Sequence, residues 1–276
     1  MRQAFIVAAY TFKESMARKT FIAFFVISTI TLLILLFALN IEVVDGALAS
    51  LSFFGKSAHG GLHIEVEKFL LGIHMGLATA LFTAGIFLSI FATASLVPNL
   101  LEKGNIDWIL ARPISRFELL LGRYLGGVGI VSFNILYLII GSWLILSIKT
   151  GYWQPQFVYA SLLIILPFAV LFAVMVFLGV VFQNSAISIM GAYLMIFFSP
   201  MLFQREKAYA LLSKKAYQLI LDGLYYISAP IFETGEIMKR IVFQEAITNW
   251  QPLIHLLFLI VGYLALASWL FFRKDF

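Results

Sequence analysis

Long apolar runs separated by short polar segments dominate the hydrophobic pattern of this chain. A hydrocarbon core about 30 Å thick is crossed by roughly 20 residues of α-helix, so runs of that length without Asp, Glu, Lys or Arg predict membrane spans. Six spans are predicted, at residues 21–40, 70–100, 124–148, 157–182, 185–203 and 250–272. The length of these runs favours helices over the shorter strands of a membrane barrel.

The fourth and fifth predicted spans share one uncharged run, residues 157–203. As a single helix at 1.5 Å per residue this run would be about 70 Å long, more than twice the thickness of the hydrocarbon core. The chain must therefore reverse within the run. The polar pair Gln183-Asn184 is the predicted turn.

Composition agrees with a membrane protein, since 62% of the residues are hydrophobic and 12% are charged. We expect a single all-α membrane domain over residues 1–276. The formal net charge is +5, but the cations stand at span ends and in loops, which favours lipid headgroups over nucleic acid as their partner. The chain has no cysteine, which excludes disulfides and thiolate chemistry.

Charge placement predicts the orientation. Six spans put both termini on one side, and the cations before the first span place that side in the cytoplasm: Arg2, Lys13, Arg18 and Lys19. We therefore expect a multi-pass protein of the plasma (inner) membrane. Apolar residues at helical spacing before the first span predict an amphipathic helix on the inner leaflet, with a continuation of the first span as the alternative: Phe5, Ala9, Phe12 and Met16.

The one strongly charged segment between long apolar runs is residues 102–118, here called the 102–118 loop. Residues 102–110 are predicted to form a short amphipathic helix, which Pro113 ends because proline lacks a backbone donor and restricts the preceding residue. Ser115 is the predicted N-cap of the next helix, with Glu118 completing a capping box. Such a rigid helix, corner and helix could transmit a push from a cytoplasmic partner into the membrane.

This loop resembles the signature of type-2 ABC transporter permeases, roughly Glu, Gly-Thr, leucines, Arg-Pro-Ile/Val-Ser-Arg and then Gly-Lys/Arg. The chain has Glu102 and Gly104, the sequence Arg-Pro-Ile-Ser-Arg at residues 112–116, and Gly122 followed by Arg123. It departs from the pattern at Asn105, where threonine is common. The six-span layout, the amphipathic start and the long last external loop are similar as well, so the resemblance covers the whole chain.

The resemblance implies a coupling helix in this loop that docks on a separate ABC ATPase subunit, with two permeases, identical or different, forming the path. The implied ATPase contacts are Glu102, Gly104, Asn105 and Asp107, and the implied corner residues are Arg112, Pro113 and Arg116. The chain is then a transporter subunit without an ATPase site of its own and without a cofactor. Drug, lipid or sodium export, gliding motility and copper-enzyme maturation all share this signature.

The sequence offers a separate argument about energy. Carriers driven by ions bind the coupling ion within the bilayer, but the predicted spans contain no ionisable residue except His74 and His255, near their ends. We therefore expect energy to come from a partner that hydrolyses ATP.

The Gly55-Lys56-Ser57 fragment of a phosphate-binding loop lacks the required glycine five residues earlier, where Ser50 stands. A membrane anchor without transport is the alternative, whereas an intramembrane enzyme would need a nucleophile and base that the spans lack.

Three further patterns concern packing and ligands. Gly122 and Gly126 have GxxxG spacing, which predicts a tight helix crossing. On a continuous helix His59, His63 and Glu67 would share a face and could bind a metal, but Gly60-Gly61 weakens that helix, so a polar loop is the favoured interpretation and no metal site is predicted. The 204–249 loop is predicted to carry short amphipathic helices that rest on or dip into the outer leaflet.

Overall fold

The computed structural model describes residues 2–17, 19–44, 47–53, 56–57, 66–101, 114–205 and 215–274. In chain order the α-helices of the described residues are α1 (Arg2–Met16), α2 (Lys19–Leu33), α3 (Val66–Ala80), α4 (Ile86–Thr93), α5 (Arg116–Thr150), α6 (Gln156–Phe182), α7 (Ser185–Phe203), α8 (Lys215–Ile227), α9 (Ile231–Val242) and α10 (Gln251–Arg273). A π-helical turn, Ile34–Ala38, extends α2, and a second one, Leu81–Gly85, joins α3 to α4. A 3-10 turn, Pro98–Leu101, follows α4.

Five helical segments of the described chain are long and apolar enough to cross a membrane: Val66–Leu101, Arg116–Thr150, Gln156–Phe182, Ser185–Phe203 and Gln251–Arg273. A sixth candidate is the pair Gln3–Met16 and Phe21–Phe37, whose two parts are bent by 70° from one another. The predicted class, a helical membrane protein, is confirmed with five to six candidate spans.

The chain reverses at Gln183 and Asn184, where the uncharged run is predicted to turn. Gln183 adopts a left-handed conformation with φ of 53°, and its N–H donates to the carbonyl of Gly179 at 2.9 Å. The side chain of Asn184 accepts a 2.8 Å hydrogen bond from the N–H of Ala186 and so caps α7. One short polar pair therefore ends α6 and begins α7.

A small antiparallel sheet follows the first candidate span, with strands β1 (Leu39–Val44), β2 (Ala47–Phe53) and β3 (Lys56–Ser57) in that order. The sequence analysis predicted no strand here and continued the first span to residue 40. The sequence between β1 and β2 is Asp45-Gly46, a pair favoured in hairpin connections, and this signal was missed. Because Lys56 pairs with Phe53, it lies in a strand pair and not at the start of a helix, as a phosphate-binding loop requires.

The α6 helix is at the centre of the bundle. In an apolar stretch of 18 residues within α6, 72% of the residues are buried, whereas in the corresponding stretches of α7 and α10 only 22% are buried. It packs against α5, α7, α9 and α10, and the rings of Phe157, Phe168 and Phe172 are fully buried there. The outer helices α7 and α10 therefore carry most of their apolar side chains on the surface, as helices facing lipid do.

Candidate functional site at the base of the 102–118 loop

Most of the 102–118 loop lies outside the described residues. This applies to six of the predicted site residues: Glu102, Gly104, Asn105, Asp107, Arg112 and Pro113. The described part is the base of the loop, namely the turn Pro98–Leu101 on one side and residues 114–118 on the other. The contacts of these two ends decide how firmly the loop is rooted in the bundle.

The first end of the base packs against α6. Leu100 and Leu101 are buried in the main core, and Val97 and Pro98 lie over Gly179. A Cβ atom placed on Gly179 would be 3.3 Å from Val97 Cγ1 and 3.4 Å from Pro98 Cδ. Because of this close approach, the segment that leads into the loop is packed against the last turn of α6.

The second end of the base begins α5 with a side-chain cap. Ser115 is the N-cap, as the sequence pattern predicts, and its hydroxyl accepts a 3.2 Å hydrogen bond from the N–H of Glu118. The same hydroxyl donates to the Glu118 carboxylate at 3.0 Å. Where the chain leaves the loop, the Ser115 side chain therefore provides a hydrogen-bond partner for a backbone N–H in the first turn of α5.

Arg116 joins the start of α5 to the end of α10. Its Nη1 donates to the carbonyl oxygens of Phe271, at 2.9 Å, and Lys274, at 2.6 Å, and its guanidinium lies 5.7 Å from the centre of the Phe271 ring. The last carbonyls of a helix lack partners within the helix and carry partial negative charge, so a guanidinium is well matched to them. Sequence reasoning placed Arg116 at the corner of the loop and missed this contact with residues more than 150 positions away.

Lys274 extends this connection to α6. Its Nζ donates to the carbonyls of Val180, at 2.6 Å, and Val181, at 3.0 Å, in the last turn of that helix. The start of α5 and the ends of α6 and α10 are therefore joined by two cationic side chains. These contacts hold the three helix ends together next to the base of the loop.

The α1 helix lies against α5 at the two predicted packing glycines. A Cβ atom on Gly122 would be 2.6 Å from Val7 Cβ, and one on Gly126 would be 2.5 Å from Thr11 Cβ. Backbone is equally close, since each of these Cβ atoms would lie 2.8 Å from a carbonyl oxygen of α1. The two helices approach to a distance that only glycine at these positions allows.

The face of α1 that contacts α5 differs from the apolar face that the sequence analysis chose. Phe5, Ala9 and Met16 are exposed, with Phe5 70% exposed. Small side chains at helical spacing instead form the buried face: Ala4, Val7, Thr11 and Ser15. The large apolar residues dominated the pattern, although the small ones recur at helical spacing on one face and could have been found by that spacing.

An ion pair links the same two helices. Arg123 donates from Nη1 to the carboxylate of Glu14, and its guanidinium is 5.9 Å from the centre of the Tyr10 ring. Arg123 is only 7% exposed, so its charge is held largely away from water. Sequence reasoning did not predict this partner of Arg123 on α1.

The two histidines of the spans are hydrogen-bonded. His74 is buried, with Nδ1 3.1 Å from Gln154 Oε1 and its ring stacked on Phe157 at 4.2 Å. His255 donates from Nε2 to the carbonyl of Tyr226 at 2.9 Å. Within the described part of the chain no three His, Asp or Glu side chains are grouped so that they could hold a metal ion. His59 and His63 lie outside the described residues.

A polar cluster lies within the 204–249 segment and joins its residues around Tyr225. Arg205 stacks 3.6 Å from the centre of the Tyr225 ring, and the Tyr225 hydroxyl donates to Glu233 at 3.2 Å. Burial, followed by the nearby Glu233 carboxylate, raises the pKa of Tyr225 to about 12, so the hydroxyl keeps its proton at neutral pH. Beyond this cluster α9 packs into the bundle, where Gly235 contacts Phe82 of the span Val66–Leu101.

Replacing Arg116 with methionine is expected to release the end of α10. The substitution removes hydrogen bonds from a charged donor, and such bonds contribute about 1.5–3 kcal/mol. Hydrogen–deuterium exchange of the last turn of α10 should therefore rise strongly, while exchange in the middle of α6 is unchanged. Arg116→Lys should recover only part of the protection, since one ammonium cannot reproduce the planar guanidinium.

Arg273→Met is the matched control, because Arg273 stands at the same helix end and stacks on Trp269 at 4.0 Å. Its removal should leave exchange in residues 268–272 near the wild-type level. Equal protection in the Arg116 and Arg273 variants would show that the Arg116 contact does not hold the helix end.

No family model matches the chain, and no curated protein matches it closely enough to count as a relative. The fold defines its class as a helical membrane protein with five to six candidate spans and a charged loop rooted between two of them.

Proposed function

We propose that the chain is the membrane-spanning permease subunit of an ATP-driven transporter of the type-2 ABC class, and that it exports its substrate. The observation that carries this proposal is the 102–118 loop, whose sequence resembles the family signature and whose two ends are fixed to the bundle. Glu102, Gly104, Asn105 and Asp107 contact the ATPase subunit in this proposal. Arg112, Pro113 and Arg116 set the corner of the loop.

The base of the loop supports a mechanical role. Leu100 and Leu101 are packed in the core, Ser115 caps α5, and Arg116 is bonded to the end of α10. A force on the loop is then delivered to the spans that adjoin it instead of being lost in a flexible connection. Through the glycines of α5 the same force reaches α1, which lies against that helix.

The distribution of charge supports an external source of energy. The predicted spans hold no Asp, Glu, Lys or Arg in their apolar stretches, and the ring of His74 is bonded to Gln154. A coupling ion would need such groups at membrane depth. In our proposal the ATP-driven closure of a pair of partner ATPases moves a pair of permeases through their loops. Both termini and the loop face the cytoplasm, because the cations before the first span favour that side.

The direct test is to co-express the chain with any ATPase that carries a phosphate-binding loop and proves to be encoded beside it. We expect a stoichiometric complex of two permeases and two ATPases in detergent, with an ATP hydrolysis rate that differs from that of the isolated ATPase. Asp107→Arg and Gly104→Pro should abolish the complex and the change in rate, because the first reverses a charge at the implied contact and the second breaks the predicted helix. Both variants should still insert in the membrane.

Glu245→Arg is the matched control, since it makes the same kind of charge reversal at an exposed position that is remote from the loop. It should leave the complex intact. A complex that survives Asp107→Arg and Gly104→Pro would refute the role of the loop. A stable complex in which the permease changes neither ATP hydrolysis nor transport into vesicles would favour a membrane anchor instead.

A further inference from the structure

A cavity of about 120 Å³ lies where the end of α1, the first turns of α2 and the middle of α5 meet. Apolar side chains form most of its wall, and its polar wall residue, Asn134, accepts a 2.8 Å hydrogen bond from Ser28. Apolar cavities of roughly this size stay free of water and accept hydrocarbons. The apolar lining residues include Phe21, Ile22, Phe25, Val26, Ile130 and Phe133.

The cavity opens to the outside of the bundle beside the first turns of α2. Ile22 is 51% exposed and Val26 is 46% exposed, and both belong to Phe21–Phe37, the apolar second part of the sixth candidate span. On the α5 side Phe133 stacks on Phe25 with ring centres 6.3 Å apart, and Phe25 stacks on Tyr137 at 4.6 Å, so the floor is a fixed row of aromatic rings. An occupant that enters from this side comes from the hydrocarbon of the bilayer.

Two exposed cations, Lys13 and Lys19, each lie about one helical turn before a residue that lines the cavity. Lys19 precedes Ile22 by three residues and Val26 by seven, so its side chain is on the same face of the helix as the exposed wall of the cavity. Lys13 precedes the last residue of α1, Met16, by three positions, and Met16 also lines the cavity. A lysine beside an apolar groove at the membrane surface favours an anionic headgroup whose chain lies in the groove.

We infer that this cavity holds part of one acyl chain of an anionic membrane lipid, whose phosphate is bound by Lys13 and Lys19. The exposed face of α1 fits such a position, since Phe5, Ile6 and Tyr10 are 62–70% exposed and would lie at the level of the lipid headgroups. The lipid would fill the angle of 70° between Gln3–Met16 and Phe21–Phe37, the two parts of the sixth candidate span. The inference does not depend on the proposed transport function, because it requires only that the chain is embedded in a membrane.

The test is native mass spectrometry of the protein purified from an equal mixture of phosphatidylglycerol and phosphatidylcholine. Wild-type protein is expected to retain one phosphatidylglycerol per chain. Lys13→Gln with Lys19→Gln should lower the ratio of retained phosphatidylglycerol to phosphatidylcholine by about tenfold or more, since each lysine near an anionic surface contributes substantially to binding. Val26→Trp, which places a large ring at the mouth of the cavity, should remove the retained lipid altogether.

Two controls make the result specific. Lys239→Gln removes a cation that is paired with Glu236 on α9, and Ile140→Trp places the same large ring on an exposed α5 position that does not line the cavity. Both should retain lipid as the wild type does. A photoreactive phosphatidylglycerol should also label wild-type peptides containing residues 21–26 and 130–134, which tests the site without any substitution. Equal retention of phosphatidylglycerol and phosphatidylcholine by the wild-type protein would overturn the inference. Labelling by the photoreactive lipid that is spread evenly over the spans would also overturn it.

Discussion

Gly126→Ala is expected to destabilise the protein by about 2–3 kcal/mol, because the added methyl group forces α1 away from α5. The new Cβ would lie 2.5 Å from Thr11 Cβ and 2.8 Å from the carbonyl oxygen of Ala8. Alanine is better than glycine within a helix by about 1 kcal/mol, and that gain is too small to offset the clash. Thermal unfolding in detergent measures the loss, and hydrogen exchange along residues 4–15 should show that α1 has separated.

Gly129→Ala is the control for this expectation, since it makes the same substitution three residues further along α5. A Cβ atom there would meet only Phe12 Cδ2 at 3.8 Å, which is an ordinary contact. This variant should be as stable as the wild type or up to about 1 kcal/mol more stable. Two alanine variants with the same sign of effect would show that the α1–α5 contact does not depend on the glycine at 126.

The spans could be predicted because the bilayer imposes a length and a polarity that are readable in the sequence. The run 157–203 had to turn since no membrane accommodates its length, and Gln183 and Asn184 were its polar residues best placed for a turn. The same criterion failed at residues 39 and 40, which begin β1 instead of ending the first span. Hydropathy does not distinguish a strand from the last turn of a span when the apolar run is short.

The tertiary contacts of the site could not be predicted from local patterns. The partner of Arg116 lies 155 positions away, at Phe271, and the partner of Arg123 is Glu14 on α1. Nothing in the spacing of these residues specifies the pairs. The GxxxG pattern at Gly122 and Gly126 predicted a close contact but not which helix would provide it, because small residues on α1 were overlooked. A search for two small-residue stripes would have suggested the pair.

Glu14→Ala is expected to destabilise the protein by about 3 kcal/mol, because it leaves the charge of Arg123 buried without its carboxylate. Arg123 is 7% exposed, and its Nε has no hydrogen-bond partner among the described residues even when Glu14 is present. An isolated guanidinium in this position must draw water to itself or separate α1 from α5. Thermal unfolding in detergent and hydrogen exchange of α1 should both report the change.

A double-mutant cycle separates the ion pair from other effects at the interface. Glu14→Leu combined with Arg123→Leu should be more stable than either single variant, because replacing both members of a buried pair by apolar side chains is often close to neutral. The exposed pair Lys239 and Glu236, whose side chains are each 44% exposed, gives the comparison. Its disruption should cost about 0.5 kcal/mol, in the range of surface pairs. If the double variant is no more stable than the single variants, the ion pair does not hold α1 and the packing at the glycines of α5 does. A force on the 102–118 loop would then pass from α5 to α1 through that packing and not through the ion pair.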